Sequence, residues 1–192
     1  MKTVILNGSP RKQGETSVIV SALCERLQGE VIQINTYTAR VSPCVDCRYC
    51  WSHAACAIED DMQNIYRQLD RADNIVLASP VYFGELTGSL LNFASRLQFF
   101  WTAEKFRKQP FLQNKIRKGA VILVGGGEDC PEQALAMGRR LLGIMGAEVW
   151  QEICYFGTDR KEREDPLKDP ALLEAVQELA DRFAVNAPIK RP

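Results

Sequence analysis

Short apolar runs of strand length alternate along the chain with segments whose apolar residues recur at helical spacing. Residues 2–7, centred on Val4-Ile5-Leu6, read as a first strand; Ile19, Ala22, Leu23 and Leu27 follow at helical period, and residues 30–35 return to a strand. Met62, Ile65, Tyr66 and Leu69 make the next helix face, with Glu59-Asp60-Asp61 ahead of it, where carboxylates suit both the N-cap and the helix dipole. Residues 74–79 predict a third strand and Leu90, Phe93, Ala94 and Leu97 a helix. Residues 119–125 predict a fourth strand, Leu135, Leu141, Leu142 and Met145 a helix, residues 147–154 a fifth strand, and Leu172, Val176, Leu179 and Phe183 the last helix. The strands are continuous apolar runs, as burial on both faces requires, so the pattern predicts an α/β fold with a parallel sheet between two helix layers.

In such folds ligands bind outside the carboxyl ends of the strands. Three of those ends carry unusual sequence: residues 7–16, 79–84 and 125–130. Two stretches are less regular, a cysteine-rich loop at 41–58 and a basic, aromatic segment from Phe99 to Lys118, which with the helix after Tyr82 offers Phe99-Phe100-Trp101 as aromatic surface. Residues 1–185 are expected to form a single domain and residues 186–192 a loose tail.

The loop after the first strand, Asn7-Gly8-Ser9-Pro10-Arg11-Lys12-Gln13-Gly14-Glu15-Thr16, has the composition of an anion site. Backbone N–H groups converge where a strand hands over to a helix, and the helix start adds roughly half a positive charge. Ser9, Thr16 and Ser17 bring hydroxyls and Arg11 a charged fork, a set suited to a phosphate monoester. The glycine-lysine-serine/threonine ending of an ATP loop is absent, and Gly8 and Gly14 alone do not make a dinucleotide fingerprint. The plainer reading is a turn followed by an ordinary helix cap. Gly84 and the aromatic Tyr82 and Phe83 suit approach to a planar ring, or else simple core packing, and Ser79-Pro80 is expected to stop the third strand.

Together, that first loop and Ser79-Pro80-Val81-Tyr82-Phe83-Gly84 resemble the flavodoxin-like FMN reductase and iron-sulfur flavoprotein superfamily. The resemblance is specific from Met1 to about Leu97 and looser to the fifth strand. It implies a flavodoxin-like three-layer sandwich with strand order 2-1-3-4-5 and FMN as cofactor. By correspondence Ser9, Arg11, Thr16 and Ser17 would hold the FMN phosphate. Pro80, Val81, Tyr82, Phe83 and Gly84 would line the isoalloxazine and ribityl chain, with Gly125, Gly126 and Gly127 near the opposite ring edge. Glu15 departs from the asparagine common in the family and is expected to point to solvent.

Cys44, Cys47, Cys50 and Cys56 follow one another at gaps of two, two and five residues. Four thiolates wrapped this closely suit a [4Fe–4S] cube, whereas structural zinc more often uses two separated pairs. The spacing also matches the compact cysteine motif of the iron-sulfur flavoproteins, in which the cluster passes electrons to FMN. Free or redox-active thiols and zinc remain open readings. Trp51 would shield a cluster or pack the loop, and His53, the single histidine, reads as a surface residue. Cys24, Cys130 and Cys154 read as small buried hydrophobes, Cys130 least plainly because it follows the glycine loop.

At 192 residues and 46% hydrophobic content the chain is long enough to bury a core, and 24 basic against 24 acidic residues provide no field for nucleic acid or an anionic membrane. No apolar stretch approaches a membrane span and no cleavable leader is seen at the start, so a cytoplasmic location is expected. Seven cysteines is an odd number for a disulfide framework. With one histidine, far in sequence from Ser9, and no nucleophile elbow, the chain argues against a hydrolase triad.

The leading expectation is therefore an FMN-dependent oxidoreductase whose chemistry is flavin-borne, with no catalytic side chain. NAD(P)H would be its transient co-substrate, or ferredoxin its donor, and a flavin, quinone or similar small molecule its acceptor. A non-enzymatic electron carrier and a cysteine-based redox sensor are the alternatives; the balanced charge argues against a carrier's acidic docking face. From the resemblance, a homodimer or homotetramer is expected.

Overall fold

The computed structural model describes residues 1–113, 115–159 and 165–185. Six strands and six α-helices are present among them: β1 (Lys2–Asn7), α1 (Glu15–Arg26), β2 (Glu30–Asn35), α2 (Met62–Arg71), β3 (Asn74–Tyr82), β4 (Glu85–Leu86), α3 (Gly88–Ser95), α4 (Gln98–Thr102), β5 (Arg117–Gly125), α5 (Glu132–Ile144), β6 (Ala147–Phe156) and α6 (Pro170–Ala184). Five strands run parallel in the order β2-β1-β3-β5-β6, the flavodoxin-like arrangement, and the two-residue β4 turns back antiparallel onto β3. The expected tail, 186–192, lies outside the described residues.

Side-chain alternation splits the core into two halves. Val4 and Leu6, Ile75 and Leu77, Val121 and Leu123 face the layer of α2 to α5. Ile5, Val76 and Ala78, Ala120, Ile122 and Val124 face α1 and α6. Because both faces are covered, polar breaks are confined to strand ends, as the apolar runs required. Two buried cations open β5 and serve helix ends: Arg117 donates to the carbonyls of Leu69 and Asp70 at the close of α2, and Lys118 to that of Arg182 near the close of α6. A cation there satisfies both orphan carbonyls and the helix dipole.

Three expectations are corrected. Ser79-Pro80 does not stop β3, which runs on to Tyr82 with Pro80 in register with Val124. Ala78 receives the Gly8 amide through its carbonyl and so faces β1; Pro80, two residues on, faces the same side, where β1 has already ended, so its missing N–H leaves no neighbour unpaired. Secondly, Phe99 and Phe100 are buried, packed around Tyr66 with ring centroids 4.6 and 5.3 Å away, and only Trp101 of that trio is exposed. Thirdly, Cys154 is exposed rather than buried, alternating outward between buried Ile153 and Tyr155.

Candidate functional site: the carboxyl edge of the sheet

The loop after β1 is knitted by its own polar groups. The Ser9 amide donates to Asn7 Oδ1 (2.9 Å), the Ser17 hydroxyl donates to the Arg11 carbonyl (2.8 Å) and accepts from Asn7 Nδ2 (3.3 Å), and Asn35 Nδ2 donates to the Ser9 carbonyl (2.9 Å). Ser9 and Ser17 are buried and shape the loop. Gly14 occupies the N-cap of α1 with no side-chain cap, so the first-turn amides of Glu15, Thr16 and Ser17 have no partner among the described residues. The Thr16 hydroxyl beside them has no hydrogen-bond partner among the described residues. Open helix-start amides, one free hydroxyl and nearby Arg11 are the donor set of a phosphate monoester site, and the chain fits FMN at this point.

Arg11 is ion-paired at this helix start. Its Nη2 lies 2.8 Å from Glu15 Oε2, so Glu15 does not simply point into solvent as expected; it is half-buried and ion-paired with the very arginine read as a phosphate ligand.

The second part of the site is a β-hairpin. Tyr82 pairs with Glu85, leaving a two-residue loop, Phe83-Gly84, with φ of +53° and +81°. Positive φ at both positions is the type I′ geometry that suits hairpin twist. Tyr82 is exposed, and Phe83 is fully exposed in a backbone region that bulky residues avoid. Pro80 and Val81 are half-buried below them. Thr87 fastens this hairpin to the first loop: its amide donates to Ser79 Oγ (3.2 Å) and its hydroxyl to the Gly8 carbonyl (2.9 Å). Neither Thr87 nor Asn35 was singled out from sequence, since each lies outside the two motifs; only Asn7, inside the first, carried a signal.

The glycine loop behaves differently. A side chain at Gly125 would collide with the Phe156 ring and one at Gly126 with the Asp159 carboxylate, while Gly127 has open space around it. Gly125 and Gly126 thus permit close packing of the segment after β6, whose Gly157 and Thr158 amides donate to the Gly127 and Gly125 carbonyls. Gly127 alone faces room for a ligand.

Cys44, Cys47, Cys50 and Cys56 line one cavity of about 20 Å³ together with Trp51. That is room for roughly one water. Among the described residues no three His, Cys, Asp or Glu side chains converge to hold one metal ion. By their chemistry, four thiols on one short loop are the donor set of a [4Fe–4S] cluster. Asp46 and Arg48 bend the loop with φ of +49° and +60°. Trp51 packs it, stacking on Phe106 at 4.3 Å under the Arg48 guanidinium, and exposed His53 stacks on Tyr49 at 4.0 Å. Beneath the loop, Arg96 Nη2 lies 3.4 Å from Cys56 Sγ. Arg96 was missed in the sequence, although it sits three residues after Phe93 on an apolar stripe, where a charge is out of place.

A cavity of about 630 Å³ lies near the amino end of β5 between Trp101, Arg117 and Arg140, away from the strand ends described above.

A parallel α/β sheet in this order, with an uncapped helix start after β1 and an exposed aromatic hairpin after β3, defines a flavodoxin-like protein built to take a phosphate-bearing planar cofactor. The model of the NADPH-dependent FMN reductase family matches residues 1–160. The chain belongs to that family. An iron-sulfur flavoprotein of Methanosarcina thermophila is 30% identical over 189 residues, covering 94% of each chain. Another, from Archaeoglobus fulgidus, is 29% identical over 149 residues, 76% of this chain but 64% of that one, so the chain spans just under two thirds of that relative. Among solved structures, an FMN-dependent NADH-azoreductase of Bacillus anthracis in complex with FMN superposes with a TM-score of 0.72 at 18% identity, covering 96% of this chain and all 100% of that one. An NAD(P)H:quinone oxidoreductase of Methanothermobacter marburgensis gives 0.70 at 14% identity, covering 97% and 98%. These two share the fold. Among the described residues no helix is long and apolar enough to cross a membrane.

Proposed function

We propose that the chain is an FMN-dependent oxidoreductase that accepts electrons from NAD(P)H or ferredoxin and passes them to a small acceptor such as a quinone or a flavin. Bound FMN supplies the hydride and electron chemistry. The chain's residues bind and orient it. The amides of Glu15, Thr16 and Ser17 and the Thr16 hydroxyl bind the phosphate, and Arg11 turns from Glu15 to the anion. Pro80, Val81, Tyr82, Phe83 and Gly84 bound the ring and ribityl chain, and Gly127 leaves space at the far edge. Cys44, Cys47, Cys50 and Cys56 hold a [4Fe–4S] cluster in the reading favoured by their close spacing and by the names of the relatives. A homodimer or homotetramer in the cytoplasm accounts for exposed Tyr82 and Phe83, each subunit covering its neighbour's hairpin. The observation that carries the reading is the uncapped start of α1 behind a loop already shaped by Asn7, Ser9 and Ser17.

The test is the absorption spectrum of protein purified without oxygen, with flavin, iron and acid-labile sulfide assayed on the same sample. Stoichiometric flavin with about four irons per chain supports both parts. Flavin without iron, even after reconstitution, removes the cluster and leaves the reductase. Failure to bind added FMN overturns the central reading.

A further inference from the structure

Two cysteines outside the cysteine loop meet at the edge of the sheet. Cys154 is an exposed residue of β6, and Cys130 is half-buried just before α5, packed against the core. A clamp between strand and helix brings their neighbourhoods together: Arg139 of α5 holds both carboxylate oxygens of Glu152 on β6, at 2.6 and 2.8 Å, and Glu132 in the first turn of α5 at 2.5 Å. Glu152 and Cys154 are two residues apart on a strand and share a face. Cys130 stands two residues before Glu132. Across this clamp the two thiols lie within side-chain hydrogen-bonding reach of each other, Cys130 as the donor.

The two groups are unequal. Burial first, and then the hydrogen bond it donates, push the Cys130 thiol up to about 12. Burial raises Cys154 too, but the bond from Cys130 and the charge of Arg139 work the other way. Burial outweighs these and leaves Cys154 above the ordinary thiol range, but it is the accessible thiol of the two, while Cys130 is held in reserve beside it. Such asymmetry belongs to an attacking and a resolving thiol.

We propose that Cys130 and Cys154 are a redox-active dithiol that closes to a reversible intrachain disulfide, with low-molecular-weight disulfides as oxidant. Cys154, having lost its proton to solvent, attacks one sulfur of the disulfide RSSR; a bond forms to Cys154 Sγ, the S–S bond of RSSR breaks, and the departing RS⁻ takes up a proton. Cys130 then yields its proton to solvent and attacks Cys154 Sγ, forming the intrachain bond and expelling the second RS⁻, which is protonated in turn. Two protein thiols are oxidised by two electrons and one disulfide is reduced to two thiols. Glu132 and Glu152 beside the pair favour uncharged over anionic disulfides. Closure pins the segment after Gly127 to β6. The proposal needs neither the flavin nor the cysteine loop, so its fate is separate from that of the proposed function.

The full chain, as purified, is equilibrated anaerobically in graded ratios of reduced to oxidised dithiothreitol, an uncharged disulfide probe, then acid-quenched, alkylated and mapped without reduction. The expected result is a peptide joining Cys130 to Cys154 that rises and falls reversibly with the ratio. Cys154→Ser and Cys154→Ala are expected to abolish it while Cys24→Ser leaves it unchanged. Under limiting alkylating reagent, Cys154 of the reduced wild-type protein is expected to react at least about tenfold faster than Cys130, as its greater exposure requires. Alkylation of both cysteines at every ratio, or Cys154 linked only to a cysteine other than Cys130, overturns the proposal.

Discussion

Arg96 Nη1 lies 2.7 Å from Asp60 Oδ2, a buried ion pair joining the end of α3 to the approach to α2. The same guanidinium, 1% exposed, donates to the carbonyls of Ser42 (2.8 Å) and Ile58 (3.3 Å) and reaches Cys56 Sγ. Both ends of the cysteine loop therefore hang from one side chain. Tyr66 in turn donates its hydroxyl to the Arg96 carbonyl at 2.8 Å, tying this anchor to the aromatic cluster below.

Removing one partner of a buried pair leaves the other uncompensated, at a cost of about 3–5 kcal/mol. Asp60→Ala is expected to lower the unfolding free energy by that amount, read as a fall in the urea midpoint, and to expose Cys56 to alkylation. Parity of Asp60→Ala with wild type in urea would show that the pair does not anchor the loop.

The same carboxylate sets a pH dependence. Burial acts to raise the Asp60 pKa, but the Arg96 hydrogen bond and the amides of Ser42 and Met62 outweigh it and hold the group below the usual carboxylate range. With the folded value below the unfolded one of about 3.9, the stability it brings is present above that pH and lost as pH falls through the folded value. Urea unfolding of wild type is expected to weaken more steeply below about pH 4 than that of Asp60→Asn; equal acid slopes would assign the loss to other groups.

Phe83 occupies a type I′ turn position that asparagine favours. Phe83→Asn is expected to leave stability unchanged or raise it by up to about 1 kcal/mol. If the ring covers flavin, the same change weakens FMN binding by about tenfold, of the order of one aromatic contact. Tighter or equal FMN binding in a flavin titration would separate Phe83 from the cofactor.

Gly126 and Gly127 should diverge. Gly126→Ala forces the Asp159 carboxylate aside and is expected to destabilise by about 1–3 kcal/mol. Gly127→Ala meets nothing and is expected to leave thermal unfolding of the flavin-free protein unchanged while lowering FMN affinity. Thermal scans with and without FMN distinguish the two, and equal effects would contradict the separate roles.

Glu15 competes with the phosphate for Arg11. The pair is largely exposed, so Glu15→Gln is expected to change stability by no more than about 0.5 kcal/mol. Freed of the carboxylate, Arg11 is expected to tighten FMN by about 3- to 10-fold, roughly 0.7–1.4 kcal/mol. Weaker binding in Glu15→Gln would mean that Glu15 orients Arg11 productively.

Much of this molecule is legible along the chain because its causes are local. Apolar runs such as Val4-Ile5-Leu6 and Ile75-Val76-Leu77 specify strands covered on both faces, helical spacing marks the layers between them, and the first loop announces a helix start that wants an anion. The same short range brings four cysteines to one loop, whereas the hairpin turn at Phe83-Gly84 shows only in the fold. What the chain does not reveal is which groups are already occupied. Ser17 is taken by a carbonyl six residues back, Arg11 by Glu15, Gly126 by Asp159, and Cys56 lies under an arginine forty residues away. Cys130 and Cys154 meet only because parallel pairing of β5 with β6 and the Arg139 clamp bring distant segments side by side. Periodicity is a property of neighbours in sequence, so it determines the elements; partnership depends on which strand ends the sheet places together, and that is settled only when the chain is folded.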